Sequence, residues 1–326
     1  MTAQAPRVVL AVWQTIEAFR QALTHAADVI VAPTARDEDL APLLPGADVL
    51  VSGRFSAAIA ARADALKLIQ APGAGVNGID FAAVPADVTV CNVYGHERGI
   101  AEYVFMTMAA LNRDLFGLDR RLRAADWRDR LGPPLRELRG RTVAVIGLGR
   151  IGAEVARWAR FFEMRVVAVT RTPNQDRARD LGIARLDGMT ALPQVLSEAD
   201  FVVVAVPLDA QTRGLIGRDQ LCTMERSAYL INVARGDVVE ETALYEALQD
   251  GTIAGAAIDV WYRYPDGDEP CPPSRYPFHE LPNVIMTPHI AGATDATFTY
   301  RWHVINENLR RLSAGEPLLN VVHPGP

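Results

Sequence analysis

Apolar residues in this chain fall into two alternating rhythms. Short runs of β-branched and aliphatic residues at Val8–Trp13, Val29–Ala32, Val49–Ser52, Leu66–Gln70 and Val88–Asn92 predict strands, with helical or turn segments between them. The same signal returns at Thr142–Ile146, Val166–Val169, Phe201–Val206, Ala228–Asn232, Gly255–Val260 and Val284–Thr287. Strands that alternate with helical stretches predict a doubly wound parallel sheet, so the fold class is α/β. Gly99–Leu111 is almost wholly apolar and too long for a strand, which predicts a buried helix bridging two domains. Glu102 inside that run is costly to bury unless an ion pair offsets it. Thr297–Leu312 is amphipathic and predicts a second bridging helix that returns the C-terminus to the first domain, with a cleft between the two. Asp119–Gly140 is charge-rich and broken by Gly132-Pro133-Pro134, the pattern of an exposed crossing segment.

One stretch carries more than a fold. Thr142–Ile146 runs into Gly147-Leu148-Gly149-Arg150-Ile151-Gly152. Ile151, Val155, Trp158 and Phe162 then recur at helical spacing, and Val166–Val169 closes the unit. A G-x-G-x-x-G pattern alone is weak, and glycine-rich strand–helix turns occur without ligand; the full strand–turn–helix–strand context points to a dinucleotide. The first glycine permits a tight turn, the second lets the backbone approach a pyrophosphate, and the third lets helix and strand pack closely. The helix N-terminus offers N–H groups and a positive dipole end to the phosphates. Where an NAD site places an acid for the adenine ribose, this strand ends in Thr170-Arg171 and no carboxylate follows until Asp176. A guanidinium there suits a 2′-phosphate, so NADP(H) is the expected cofactor and NAD(H) the alternative; the plain reading of Arg171 is a solvated strand end.

Ligands of such sheets gather outside the carboxyl ends of the strands. The segments there are the Gly147 turn, Thr170-Arg171, Pro207-Leu208, Arg235-Gly236, Trp261–Tyr264 and Pro288-His289. Arg235 is a permanent cation able to polarise a carbonyl, and His289 can donate a proton near neutral pH. A lone histidine after a proline is ordinarily structural; sharing the cofactor edge with an arginine favours catalysis. The turn Pro72–Gly78 is either an anion-binding nest or a plain connection. If it is a nest, Arg235 and the backbone of residues 73–76 can hold a substrate carboxylate, which makes an α-keto acid the natural substrate.

At 326 residues the chain can form two domains with cores of their own. A net charge of −6 without a basic stripe argues against a nucleic-acid surface. Cys91, Cys222 and Cys271 lie far apart with no C-x-x-C, so neither a disulfide framework nor a thiolate metal site is expected, and no metal is assigned. The N-terminus shows no cleavage-type signal and no segment is long enough to span a membrane, so a cytoplasmic location is the default.

Gly73–Asp80 (GAGVNGID), Ala101–Tyr103 (AEY), the GLGRIG turn, Ile231–Leu244 (INVARGDVVEETAL), Gly255–Val260 (GAAIDV) and Asn283–Gly292 (NVIMTPHIAG) together resemble the D-isomer-specific 2-hydroxyacid dehydrogenases over nearly the whole chain. The resemblance implies a Rossmann-type NAD(P) domain at residues 113–297. It also implies a flavodoxin-like substrate domain built from residues 1–112 and 298–326, and homodimers formed through the central domain. It implies cofactor contacts at Gly147, Gly149, Arg150, Ile151, Gly152, Thr170, Arg171, Pro207, Thr212, Ala234, Asp259 and His289. It assigns the substrate carboxylate to Ala74, Gly75, Val76 and Arg235, and acid/base work to His289. The expected activity is reduction of a small 2-keto acid, glyoxylate- or hydroxypyruvate-like, to the D-2-hydroxy acid. The alternatives are a dinucleotide-sensing interaction protein on the same scaffold and a formate- or phosphite-type dehydrogenase.

One position departs. The family pattern D-V-F-E-x-E-P places a glutamate beside the catalytic histidine, and this chain reads Asp259-Val260-Trp261-Tyr262-Arg263-Tyr264-Pro265, with Tyr264 in its place. Formate dehydrogenases of the same superfamily carry a glutamine there, so a neutral partner is compatible with turnover. A proline-rich insertion, Asp266–Pro277, follows. Tyr264 is the expected neutral partner of His289 in the catalytic site, and Glu269 or Glu280, in the following segment, is the alternative that folds back onto the ring.

Overall fold

The structure, a computed structural model, describes residues 5–11, 16–24, 27–127, 134–265 and 269–325. In chain order its elements are β1 (Arg7–Leu10), α1 (Ile16–Ala22), β2 (Asp28–Val31), α2 (Asp37–Leu40), β3 (Val49–Val51), α3 (Ala57–Ala60), β4 (Leu68–Gln70), β5 (Thr89–Cys91), α4 (Glu97–Asn112), α5 (Leu115–Arg123), β6 (Thr142–Ile146) and α6 (Arg150–Phe161). They continue with β7 (Arg165–Val169), α7 (Gln175–Leu181), β8 (Arg185–Asp187), α8 (Leu192–Ser197), β9 (Phe201–Val204), α9 (Arg218–Thr223), β10 (Tyr229–Asn232), α10 (Glu241–Gln249), β11 (Gly255–Ile258), β12 (Val284–Met286), α11 (Asp295–Ala314) and β13 (Val321–His323). The end of the first expected strand at Val12-Trp13, the Gly132-Pro133 break and the start of the insertion at 266–268 lie outside the described residues.

Two compact units result: Met1–His96 with Thr294–Pro326, and Glu97–Ala293. The first holds a six-stranded sheet in the order β13-β5-β4-β3-β1-β2, parallel except where β13 runs antiparallel to β5. Its five parallel strands have the flavodoxin-like 2-1-3-4-5 order. The second holds a seven-stranded sheet, β12-β11-β10-β9-β6-β7-β8, parallel throughout. Its strand order reverses between β6 and β9, the switch point at which a doubly wound sheet opens a crevice.

The sheet of the second unit is apolar at successive positions because both its faces are covered. Ala144, Ile146, Val167, Val169, Val202 and Val204 join one core cluster, and Val143, Val145, Val166, Ala168, Phe201 and Val203 join the other. α4 belongs to this second core through Ile100, Tyr103, Val104, Phe105 and Met108. Side chains of this size each stabilise by about 1.5–3 kcal/mol when buried, which ties the helix firmly to that sheet. The expected domain borders at 112/113 and 297/298 are therefore corrected: the division falls before α4 and before α11. Glu102 is corrected as well. It lies exposed with Met106 and Ala109 on the outer stripe of α4, so its charge stays in water. β8 and β13, three residues each, lack the long apolar run that marks the other strands. Among the described residues no helix is long and apolar enough to cross a membrane, and no group of three His, Cys, Asp or Glu side chains is arranged to hold a metal.

Candidate functional site

The glycines after β6 obey the geometry their spacing demands. Gly147 has φ +99°, and a Cβ there would stand 2.7 Å from both the Ala205 carbonyl oxygen and Val206 Cγ1. A Cβ on Gly152 would lie 2.0 Å from the Gly147 carbonyl oxygen, so the first turn of α6 packs directly on the strand end. Around Gly149 nothing approaches within 4 Å of an added Cβ. Gly149 is also the N-cap of α6, with no side-chain cap and no acid in the first turn. A helix start without a side-chain cap, with open space beside Gly149, fits a diphosphate, and the residues present therefore suit a dinucleotide. Arg150 and Ile151 open that helix, Arg150 exposed and Ile151 partly buried.

Thr170 continues from β7 with its N–H donated to the Asp187 carbonyl at 3.0 Å. Arg171 is not solitary: its Nη2 lies 2.5 Å from Oδ2 of Asp209, which follows β9. Arg177, on α7, donates from Nη2 to the Gly149 carbonyl at 3.1 Å. Thr212 is buried, and its hydroxyl donates to the Pro207 carbonyl at 2.6 Å while accepting the Asp209 N–H at 2.8 Å. Thr212 thus shapes the 207–212 turn, and Pro207 stands exposed at its head. Neither Asp209 nor Arg177 was singled out from sequence. Asp209 lies one residue beyond the Pro207-Leu208 strand end, and reading the full turn to Thr212 would have found it.

Arg235 follows β10 in extended backbone, its Nη1 donating to the Ala234 carbonyl at 2.7 Å while Asn232 Nδ2 donates to the Arg235 carbonyl at 3.1 Å. Asn232 also accepts the Ala234 N–H, and Ala234 itself is buried in the core. A Cβ on Gly236 would stand 2.3 Å from the Trp261 carbonyl oxygen, so the segment after β10 is pressed onto the one after β11.

His289 is held by a buried carboxylate. Asp259 is 2% exposed, and the partners of its carboxylate among the described residues belong to the segment around the histidine. Oδ1 accepts the Thr287 hydroxyl at 2.6 Å and the Ile290 N–H at 2.9 Å, and Oδ2 accepts the Ala291 N–H at 2.9 Å. With its hydroxyl proton given to Asp259, Thr287 accepts from the Tyr103 hydroxyl at 2.8 Å. Burial, offset in part by that bond, pushes the Tyr103 phenol up to about 12, so it stays a donor. Trp261 Nε1 fixes the Thr287 carbonyl at 2.8 Å. These ties hold His289 at φ +59°, a left-handed conformation that a non-glycine residue keeps only under external constraint. Asp259, expected among the cofactor contacts, thus orients this loop, and neither Tyr103 nor Trp261 had been given such a role.

Tyr264 reaches His289. Its phenolic oxygen lies 3.0 Å from Nδ1, leaving Nε2 as the outward nitrogen, and it accepts the Trp261 N–H at 3.2 Å. Loss of solvent raises the Tyr264 pKa and keeps the phenol neutral. Loss of solvent also lowers the His289 pKa, with Asp259 opposing and Arg235 adding to the depression. The two candidate glutamates do not take this place: Glu280 sits 4.0 Å from His279, and neither it nor Glu269 is bonded to His289. The insertion instead braces the tyrosine. The Pro273 carbonyl accepts the N–H groups of Tyr262 and Arg263, Ser274 and Arg275 engage Glu241 of α10, and Tyr276 stacks on Tyr245 at 4.9 Å.

In the first unit, the Asn92 side chain donates to the Ala74 carbonyl at 3.0 Å and the Val93 N–H to the Gly73 carbonyl at 3.1 Å. Ile79 takes the Val76 carbonyl. Among the described residues, the N–H groups of Ala74, Gly75 and Val76 have no acceptor within the protein, which suits an anion-binding turn.

Comparison with known proteins agrees with these features. The family model for the NAD-binding domain of D-isomer specific 2-hydroxyacid dehydrogenases matches residues 105–291. A D-3-phosphoglycerate dehydrogenase of Methanocaldococcus jannaschii is 34% identical over 92% of this chain and 56% of its own length, so the chain spans about half of that relative. A glyoxylate reductase of Korarchaeum cryptofilum is 34% identical over 84% of this chain and 81% of its own. The crystal structure of an NADPH-dependent glyoxylate/hydroxypyruvate reductase from Sinorhizobium meliloti, in complex with NADP and malonate, superposes with a TM-score of 0.82 at 26% identity, covering 98% of this chain and 97% of that one. With a glycine crevice at the switch point of its central sheet, and with relatives at this identity along most of its length, the chain belongs to the D-isomer-specific 2-hydroxyacid dehydrogenase family.

Proposed function

We propose that the protein is an NADPH-preferring reductase of a small 2-keto acid, glyoxylate- or hydroxypyruvate-like, forming the D-2-hydroxy acid. The observation that carries this reading is Arg235 and a tethered His289 on the same carboxyl edge of the sheet as the glycine crevice. When bound, the nicotinamide cofactor supplies the hydride. Arg235 polarises the carbonyl oxygen and holds the neighbouring carboxylate, as a forked guanidinium does well. His289, protonated, delivers its proton from Nε2 to that oxygen while the carbonyl carbon is reduced, so one hydride and one proton balance the conversion of ketone to alcohol. Tyr264 sets the orientation of the ring through Nδ1. Taken by itself, the Ala74-Gly75-Val76 turn of the first unit, its N–H groups uncommitted among the described residues, suits a carboxylate such as a 2-keto acid carries. The exposed cation Arg171 is the group assigned to the 2′-phosphate. Relatives that are glyoxylate reductases support this substrate class.

We infer further that the protein works as a homodimer through the second unit, because Met106 of α4, Leu115, Phe116 and Leu122 of α5, and Phe161 of α6 are all exposed there. A panel of 2-keto acids offered with NADPH and with NADH, followed by loss of nicotinamide absorbance, tests the activity. Turnover of glyoxylate or hydroxypyruvate with NADPH is expected; no turnover of any 2-keto acid with either cofactor would reject it. Light scattering after gel filtration tests the dimer.

A further inference from the structure

Between β7 and β9 in the sheet lies β6, the strand that ends in the glycine turn. Arg171 follows β7 and Asp209 follows β9, so the bond between them at 2.5 Å spans the end of β6 and crosses the crevice. The guanidinium assigned to the 2′-phosphate is already occupied by a carboxylate. Thr170-Arg171 removed the acid that an NAD-preferring strand end would carry, and the turn after the neighbouring strand puts one back.

We propose that Asp209 is a specificity-determining residue for the dinucleotide, competing with the 2′-phosphate for Arg171 and so narrowing the preference for NADPH over NADH. The inference rests on the proposed role of Arg171. Its geometry is asymmetric. Asp209 is anchored at its other oxygen, where Oδ1 accepts the N–H groups of Gln211 at 2.8 Å and Thr212 at 3.1 Å, and its own N–H is given to the Thr212 hydroxyl. Moving this carboxylate dismantles the 207–212 turn. Arg171 has a long side chain, 59% exposed, and is the partner that can swing. A 2′-phosphate, carrying a charge of about −2 near neutral pH, must therefore draw Arg171 away and still sit near a carboxylate that stays behind. Arg171 first, then the Gln211 N–H, holds the Asp209 carboxyl below the usual carboxylate range, so that charge is present at any pH where the enzyme would work. NADH brings a neutral ribose diol to the same place and leaves the pair intact. Arg177, tied to the Gly149 carbonyl, lies at the glycine turn itself and has no carboxylate partner among the described residues.

Because the pair is exposed and screened, the effect is modest: releasing it should change NADPH affinity by about five-fold rather than by orders of magnitude. Asp209→Asn is the informative variant, since the amide keeps an Oδ1 acceptor for the turn and loses only the charge. Dissociation constants of NADPH and NADH, measured by calorimetry on the intact protein, should show NADPH binding tightened about five-fold while NADH changes by less than about two-fold. Asp209→Ser, a shorter cap for the same turn, should move the ratio in the same direction and serves if the asparagine variant misfolds. An NADPH/NADH affinity ratio that is unchanged or lower in both variants, with Arg171→Ala still abolishing the preference, overturns the role of Asp209 and spares that of Arg171. Wild type that binds NADH at least as tightly, but turns to NADPH in Asp209→Asn, overturns the NADPH preference and supports the competition. A ratio unmoved by Arg171→Ala overturns both.

Discussion

The phenolic oxygen of Tyr264 lies 3.0 Å from Nδ1 of His289, where the family pattern has a carboxylate. A carboxylate would stabilise imidazolium; a neutral phenol does not, and loss of solvent already lowers the histidine pKa below its ordinary 6.5. Keto-acid reduction needs the protonated ring, so the protonated fraction, and with it kcat/KM, should fall as pH rises through a value below about 6.5, tenfold per unit beyond it. Tyr264→Glu should carry this limb to higher pH. A wild-type limb above pH 7.5, or one unmoved by Tyr264→Glu, would show that Tyr264 does not govern the proton.

Arg235 should be the most sensitive residue for turnover. Removing a cation that faces the developing oxyanion costs about 10²- to 10³-fold in kcat/KM, and Arg235→Ala is expected in that range. Arg235→Lys should not restore it, because a point charge cannot reproduce a two-pronged contact. Steady-state kinetics on the best 2-keto acid decides; near-normal activity in Arg235→Ala would move the chemistry elsewhere.

Asp259 joins stability to function. Asp259→Ala leaves the Ile290 and Ala291 N–H groups and the Thr287 hydroxyl without their acceptor, at a cost of roughly 3 kcal/mol. Thermal unfolding should report a clear fall in Tm together with a loss of turnover. Tyr103→Phe removes only the outermost bond of that chain and should cost about 1 kcal/mol. Equal stability of Asp259→Ala and wild type would contradict the clamp.

The glycine turn offers a pair of contrasting variants. Gly152→Ala puts a Cβ 2.0 Å from the Gly147 carbonyl and should lower Tm as well as cofactor binding. Gly149→Ala has open space on the protein side, so Tm should hold while dinucleotide affinity falls by at least about tenfold, the methyl occupying the approach of the diphosphate. Unchanged calorimetric affinity in Gly149→Ala would argue that the diphosphate lies elsewhere.

What the amino-acid sequence determined by itself is local or repetitive. The buried runs of β6, β7, β9 and β10 read directly as strands because a parallel sheet covered on both faces requires apolar residues at every position. The glycine spacing could be read because each glycine answers a constraint within a few residues of itself, as Gly147 and Gly152 do. That Arg235 and His289 stand on one edge of the sheet was legible because the carboxyl ends of parallel strands lie on the same side whatever the side chains are. Tertiary structure decided everything that depends on which distant segments meet. Glu102 is exposed because α4 presents a solvent stripe that its composition hides. Asp259 meets the His289 loop because β11 and β12 are neighbours in the sheet. Tyr264 is bonded to the histidine, while the insertion packs on α10 and Glu280 stands beside His279. Asp209 meets Arg171 across the width of a strand, at a separation of 38 residues. No propensity or periodicity encodes such pairs; they arise where chain topology brings two strand ends together, and there a single carboxylate alters what a legible motif can bind.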